Sequence, residues 1–107
     1  MVSGKKLRSD VDILRDVNTK ALAAHEEGRS EEALLVFGSL IKAAPRAAVF
    51  HNNRAAILAD LGRDTEALPD FERAVELDPG QVDAQVGLGA LLWRSGKIAK
   101  ADRKSVV

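Results

Sequence analysis

A repeated spacing of 34 residues constrains the fold of this chain more than any other feature of its sequence. Four residue types recur at that interval in one shared register: Gly28, Gly62 and Gly96; Ala33, Ala67 and Ala101; Phe37 and Phe71; Pro45 and Pro79. One residue type at this interval would carry little weight, but four in the same register indicate internal repeats. Since such a unit cannot bury its apolar surface alone, the repeats are expected to stack against one another.

Each repeat is predicted to be a pair of helices joined at the recurring glycine. Apolar and small residues lie on one helical face in both halves of the unit, and no stretch alternates with a period of two. The expected helices cover residues 18–27, 31–44, 50–61, 65–77 and 82–95. Glycine ends each first helix because it adopts the left-handed conformation without steric cost. Ser30 and Asp64 are the predicted N-caps of the second helices, and Pro45 and Pro79 close the units.

This pattern resembles the tetratricopeptide repeat family, in which glycine, alanine, an aromatic residue and proline mark a pair of antiparallel helices. The stretch from Asn53 to Pro79 is especially similar to the family consensus, and Phe37-Gly38 with Asn52–Ala55 is also similar to a short member of the family. The resemblance implies an all-α fold, a tetratricopeptide-type superhelix or solenoid. The expected organisation is an N-terminal extension (1–13), partly helical or frayed, and a repeat domain (14–107) with repeat 1 (14–47), repeat 2 (48–81) and a truncated repeat 3 (82–107).

Composition excludes several classes of protein. The 16 basic and 16 acidic residues balance, whereas a dedicated nucleic-acid binder needs excess Lys and Arg to neutralise phosphates. The absence of cysteine removes disulfides, thiolate zinc sites and cysteine nucleophiles. Apolar runs are too short to cross a bilayer. We therefore expect no nucleic-acid or membrane partner and a cytoplasmic location, with the nucleus as the alternative.

The sequence contains no constellation typical of catalysis, so we expect no enzyme, no cofactor and no metal site. His25 is followed by two glutamates but lacks the second histidine of a zinc-binding helix. His25 and His51 are interpreted as groove or packing residues. Gly87 and Gly89 lie in a helical pattern with no preceding strand, which is not the setting of a phosphate-binding loop.

In the family, the first helices line a concave groove that holds a partner's extended peptide or helix. The register assigns ten residues to that groove: Arg15, Asn18, Leu22, His25, Asn52, Asn53, Ala56, Asp83, Val86 and Trp93. An asparagine suits this role because one side chain offers both a donor and an acceptor. Trp93 has two interpretations, an anchor in the groove or a cover for core near the chain end. The predicted function is a non-catalytic interaction module that binds an unidentified protein partner.

Two alternatives to that function stay open. The first is a chaperone-linked adaptor of the Hsp70 or Hsp90 type. Some family members grip a chaperone's C-terminal carboxylate through five positions, which here are Asn18, Leu22, Asn53, Asp83 and Gly87. Only Asn53 matches, and Asp83 would repel a carboxylate, so this clamp is disfavoured. The second alternative is a self-associating structural unit, which predicts a homo-oligomer and no heterologous partner. The acidic middle (58–83) and basic end (94–104) of the chain are interpreted as solvated helix faces, with head-to-tail association as the alternative.

Overall fold

The computed structural model of the chain describes residues 9–96, and these residues form five helices without a β-strand. The helices are α1 (Asp10–Glu26), α2 (Ser30–Ala43), α3 (Ala48–Asp60), α4 (Asp64–Leu77) and α5 (Val82–Arg94). The all-α prediction is confirmed. The predicted bounds agree to within about two residues, a normal margin for helix ends, except that α1 begins well before residue 18. The second helix expected in repeat 3 lies outside the described residues.

A local cap explains the early start of α1. The Ser9 Oγ accepts a hydrogen bond from the Asp12 backbone N–H at 3.2 Å, which satisfies one of the unpaired donors at a helix N-terminus. Asp10 and Asp12 add negative charge to the first turn, where the helix dipole favours it. Residues 10–13, which the sequence assigned to an extension, are therefore part of α1.

Glycine in a left-handed conformation ends each first helix, as the sequence predicted. The φ angles of Gly28, Gly62 and Gly96 are 88°, 77° and 82°. After α1, the Arg29 N–H returns to the Ala24 carbonyl at 2.8 Å, and the Gly28 N–H bonds to the next carbonyl at 3.0 Å. These two bonds form a Schellman motif. The same pair of bonds follows α3, so the recurring glycine marks a recurring turn.

The predicted N-caps of the second helices are wrong by one residue. Arg29 and Arg63 occupy the cap positions, and neither makes a side-chain cap hydrogen bond. The Schellman turn places these arginines between the glycine and the first helical residue, so Ser30 and Asp64 lie within the helices. The Ser30 hydroxyl instead contacts Nδ1 of His25 at 2.7 Å. A short polar residue after a glycine turn can thus bond to a side chain of the neighbouring helix instead of capping its own helix.

The helices pack in chain order, and the first helices also lie side by side. Contacts join α1 to α2, α2 to α3, α3 to α4 and α4 to α5, while α3 also contacts both α1 and α5. Two core clusters result. The first holds Ala21, Ala24, Ala33, Phe37, Leu40, Phe50 and Ile57. The second holds Ala55, Leu58, Ala67, Phe71 and Leu91. Phe37 and Phe71 occupy equivalent places, and Leu34 packs against both clusters.

Small residues set how closely these helices approach. Ala33 and Ala67 are completely buried in their second helices, where larger side chains would separate the pair. Gly87 has the same role between α4 and α5, since a Cβ built on it would lie 2.6 Å from Cζ of Phe71. The ring of Phe71 therefore sits directly on the backbone of α5.

A buried ion pair occupies the middle of repeat 2. Arg54 binds Asp70 through two hydrogen bonds of 2.6 and 2.8 Å, and the Asp70 side chain is 9% exposed. His51 stands where the family usually has an aromatic residue, and its Nε2 donates to the Pro45 carbonyl at 2.9 Å. His51 is therefore a packing residue. The helix α4 continues through Pro69, whose ring faces the exposed side of the helix.

Within residues 9–96, no helix is both long enough and apolar enough to cross a membrane.

Candidate ligand-binding groove

The surface formed by the neighbouring first helices, α1, α3 and α5, is the candidate groove. Two polar contacts join α1 to α3 along it. The Asn53 Nδ2 donates to Oδ1 of Asn18 at 2.8 Å, and Nε2 of His25 lies 3.0 Å from Oδ2 of Asp60. Because each contact links positions in successive repeats, the two helices are held in a fixed register. Asn18, Asn53 and His25 were all assigned to this surface by sequence.

The asparagine contact leaves one donor and one acceptor unused. Oδ1 of Asn18 and Nδ2 of Asn53 bond to each other, whereas Nδ2 of Asn18 and Oδ1 of Asn53 have no partner among the described residues. Both side chains are half-buried, so the unused atoms remain reachable from the groove. A peptide unit carries one N–H and one C=O. The Asn18–Asn53 pair can therefore bracket one peptide unit of a ligand.

Ser30, His25 and Asp60 form a hydrogen-bonded chain of residue types that also occur in hydrolases. The Ser30 hydroxyl lies 2.7 Å from Nδ1 of His25, and Asp60 lies at its Nε2. The Asp60 side chain is 67% exposed, so water screens its interaction with the imidazole. None of the three residues lines a cavity described below. The chain therefore ties α1, α2 and α3 together.

The remaining groove residues of α1 and α3 differ in accessibility. Arg15 is exposed, and Ala56 presents its methyl group to solvent. Leu22 is half-buried against the first core cluster. Asn52 is only 8% exposed, so its amide is covered while that of Asn53 faces α1. Sequence could not separate these adjacent asparagines, and Asn53 is the one that bonds across to α1.

The groove residues of α5 are all exposed. Val86 and Trp93 have exposed fractions of 64% and 65%, and Asp83 lies in the first turn without an ion-pair partner among the described residues. Trp93 therefore does not cover the core formed by residues 9–96. Its assignment to the groove stays a prediction.

A cavity of about 370 Å³ opens beside the α1–α3 contact, a volume within the range of small-ligand sites. Its lining residues are Val11, Leu14, Arg15, Asn18, Ala44, Ala47, Val49 and Phe50. Arg15 and Asn18 were predicted for the groove, but most of the apolar wall was not. Val11 and Leu14 are spaced three apart on one helical face, which was the available signal, yet Val11 precedes the first repeat.

A larger cavity, of about 460 Å³, lies among α2, α3 and α4. The charged groups on its wall are bonded to one another. Arg54 holds Asp70, and Arg63 binds Glu31 and Glu66 with distances from 2.7 to 2.9 Å. Hydrogen bonds from Arg63 lower the pKa of Glu66 below its usual value. This cavity therefore presents few unpaired groups to a ligand.

The structure gives a packing reason for one departure from the carboxylate clamp. The clamp position Gly87 is covered by the ring of Phe71, so no longer side chain fits there without moving a residue that is 4% exposed. Leu22 is an apolar residue packed on the core, and Asp83 carries the wrong charge. Of the five clamp positions, Asn53 alone has the residue that the clamp requires.

With this geometry in place, comparison with known proteins identifies the fold family. The profile of the tetratricopeptide repeat family matches residues 18–82 and 65–101. The chain belongs to the tetratricopeptide repeat family. A solved structure with a similar fold is the second tetratricopeptide domain of Spaghetti (RPAP3), bound to the HSP90 peptide SRMEEVD. It superimposes with a TM-score of 0.76 at 23% identity over 84% of this chain and 83% of that chain.

Several curated proteins are similar in sequence. The Hsp70-Hsp90 organizing protein of Triticum aestivum is 38% identical over 86 residues, which are 80% of this chain and 15% of that protein. Small glutamine-rich tetratricopeptide repeat-containing protein 2 of Mycosarcoma maydis is 32% identical over 82% of this chain and 24% of its own length. The Drosophila melanogaster homolog of tetratricopeptide repeat protein 36, the short member noted above, is 43% identical over 63 residues, 59% of this chain and 34% of that protein. The chain thus matches a minor part of each relative.

Proposed function

We propose that this chain is a non-catalytic interaction module whose α1–α3–α5 groove binds a peptide or helix of a partner protein. The observation that carries the proposal is the Asn18–Asn53 pair, which spans two repeats and keeps one donor and one acceptor free. Most side-chain hydrogen bonds in such a groove would go to the ligand backbone, so they give affinity without demanding one sequence.

The other groove residues supply surface rather than fixed hydrogen bonds. Ala56 and Val86 offer apolar contact, and Trp93 offers an aromatic face of the type enriched at interaction hot spots. Leu22 and His25 form the floor between the repeats. Arg15 and Asp83 place opposite charges on α1 and α5. We propose a protein ligand in the cytoplasm, with the nucleus as the alternative, and no reaction at the site.

The test is affinity purification with variants of the asparagine pair. Asn18→Ala and Asn53→Ala each remove a group that the proposal requires, while Glu72→Ala removes an exposed side chain on α4 and serves as the control. Circular dichroism confirms that each variant is folded. Proteins that bind the wild type and the control but not the asparagine variants are the expected result. An identical set of bound proteins for all variants would refute the groove.

A chaperone-linked adaptor is the second candidate, because two findings favour it. The Hsp70-Hsp90 organizing protein is similar over 80% of this chain, and the Spaghetti domain has the same fold with an HSP90 peptide bound. Leu22, Asp83 and Gly87 oppose the carboxylate clamp, so the expected contact with a chaperone uses another mode. Titration with the peptide SRMEEVD decides this point. Binding that Asn53→Ala abolishes would establish tail recognition, and no binding would exclude it.

A further inference from the structure

Within residues 9–96, the cavity between α1 and α3 is lined by an apolar wall and one charged side chain. Of the eight described residues that line it, six are apolar, and Arg15 is the one with a charge. Asn18 lies at the same cavity, with its Oδ1 already bonded to Asn53. The groups that the cavity offers to a ligand at this end are therefore donors: the guanidinium of Arg15 and the free Nδ2 of Asn18.

Arg15 is available to a ligand. Its side chain is 70% exposed, and its ion pair with Asp12 is long, at 3.6 Å, with Asp12 also half-exposed. Such a pair between exposed side chains is weak. An incoming carboxylate can form a shorter, charge-assisted hydrogen bond with the same guanidinium.

We propose that this cavity is a specificity pocket, and that it selects a peptide with an aliphatic side chain and an acidic side chain two positions away. The aliphatic side chain packs against Val49 and Phe50 on the α3 side of the cavity, and the carboxylate accepts from Arg15 on the α1 side. This inference rests on the proposed function, since it takes the ligand to be a peptide in the groove. It adds the chemistry that distinguishes one peptide from another.

The two-residue spacing follows from the geometry of an extended chain. Successive side chains point to opposite sides, and residues i and i+2 lie on one side about 6.6 Å apart. Packed helix axes are about 8–10 Å apart, and the side chains of Val49 on α3 and Arg15 on α1 both line the cavity between them. Because these side chains shorten the gap, ligand residues i and i+2 can contact one of them each. An acidic residue next to the aliphatic one would point away from the groove.

Charge along the groove fixes where the acidic residue lies. Asp83 is exposed on α5 and has no ion-pair partner among residues 9–96, so an acidic ligand residue on that side would be repelled. Arg15 lies on α1, at the other side of α3. The acidic side chain therefore sits over α1, and a neutral or basic ligand residue faces α5.

Short capped peptides test the proposal through NMR titration of the ¹⁵N-labelled chain. Because the ligand direction is open, the probe carries the acid on both sides of leucine: acetyl-Asp-Ala-Leu-Ala-Asp-amide. One comparison peptide replaces both Asp by Asn, and another replaces Leu by Ala. A third, acetyl-Ala-Ala-Leu with a free carboxyl terminus, tests a terminal carboxylate as the source of charge.

The expected result is a set of shifts at the amides of Ala47, Val49 and Phe50 with the first probe. The Asn peptide should bind about two- to fivefold more weakly, the range for one exposed charge pair, and the Ala peptide should lose the cavity shifts. Arg15→Gln should abolish the preference for Asp over Asn. Arg73→Gln, the same change on α4, should leave it intact.

Three outcomes would overturn the proposal. The first is that the preference for Asp over Asn persists in Arg15→Gln. The second is that the peptide with the free carboxyl terminus binds while the Asp peptide does not. The third is that no peptide shifts the amides of Ala47, Val49 and Phe50. None of these outcomes depends on the purification test of Asn18 and Asn53. If that test succeeds and the cavity shows no preference, the groove stands and its specificity lies elsewhere.

Discussion

Replacement of Gly87 by alanine is the sharpest test of how the third repeat docks on the second. A Cβ at this position would lie 2.6 Å from Cζ and 3.1 Å from Cδ1 of Phe71, closer than carbon atoms pack in proteins. Phe71 is 4% exposed within the second core cluster, so its ring cannot move without displacing neighbours. The added methyl group must therefore strain the α4–α5 contact.

Gly89 provides the matched control, because it lies in the interior of the same helix and a Cβ there would meet no described atom within 4 Å. Alanine is favoured over glycine in a helix by about 0.8–1.0 kcal/mol, and both variants gain this amount. Overpacking costs about 1–3 kcal/mol. The gain in helix propensity is the same in both variants and cancels when they are compared. The free energy of unfolding of Gly87→Ala should therefore be lower than that of Gly89→Ala by about 1–3 kcal/mol.

Urea unfolding followed by far-UV circular dichroism measures this difference directly. In thermal unfolding, a difference of about 1 kcal/mol corresponds to roughly 4–8 °C for a domain of this size. Gly89→Ala should unfold at a higher urea concentration than the wild type. If Gly87→Ala is as stable as Gly89→Ala, the close approach of Phe71 to α5 is incorrect.

Three further predictions concern the turns, the surface charges and self-association. Gly62→Ala should destabilise the chain by about 1–2 kcal/mol, because Gly62 has a φ of 77° that a residue with a Cβ adopts only at a cost. Gly38→Ala in α2 should stabilise the chain, because a Cβ at Gly38 would meet no described atom within 4 Å. Urea unfolding compares the two variants. A hydrogen bond from Arg94 lowers the pKa of Asp64. This contact therefore stabilises the fold above about pH 4, and the stabilisation is lost as the pH falls through the lowered pKa. In Arg94→Gln, an NMR titration should show the pKa of Asp64 rising towards its usual value. Light scattering at low and high salt tests head-to-tail association, which predicts that the molar mass in solution falls as salt is added. An unchanged molar mass would exclude this association.

The fold was predictable because the same residue types specify the same local structure in successive repeats. Glycine, alanine, phenylalanine and proline in one register define a turn, a close helix contact, a core anchor and a stop, and within residues 9–96 each is found at its expected place. The start of α1 was not predictable in this way. It depends on the side-chain cap that Ser9 provides, because the first helices of the other two repeats, α3 and α5, begin without a side-chain cap hydrogen bond.

The contact between α1 and α3 was predictable in outline but not in detail, and the binding groove itself stays a prediction. Helical register places Asn18 and Asn53 on facing positions, and their hydrogen bond agrees with that placement. Register could not reveal that the neighbouring Asn52 is buried, because a single turn of helix presents adjacent residues about 100° apart and small tilts decide which is covered. The ion pair between Arg54 and Asp70 was also missed, since it joins the two helices of one repeat through a contact that no motif encodes.

Gly87 connects the packing of this fold to the choice of ligand. A chaperone-tail clamp needs a cationic side chain at this position, but the ring of Phe71 already occupies the space above its backbone. A basic residue there would have to push the ring out of the second core cluster, so changing Asp83 to lysine alone would supply only one of the two missing cations on α5. Among the ten residues assigned to the groove, Arg15 carries the permanent positive charge, and it lies on α1, at the opposite side from α5. Recognition of an acidic group is therefore expected at Arg15 on α1, and not at the two clamp positions of α5.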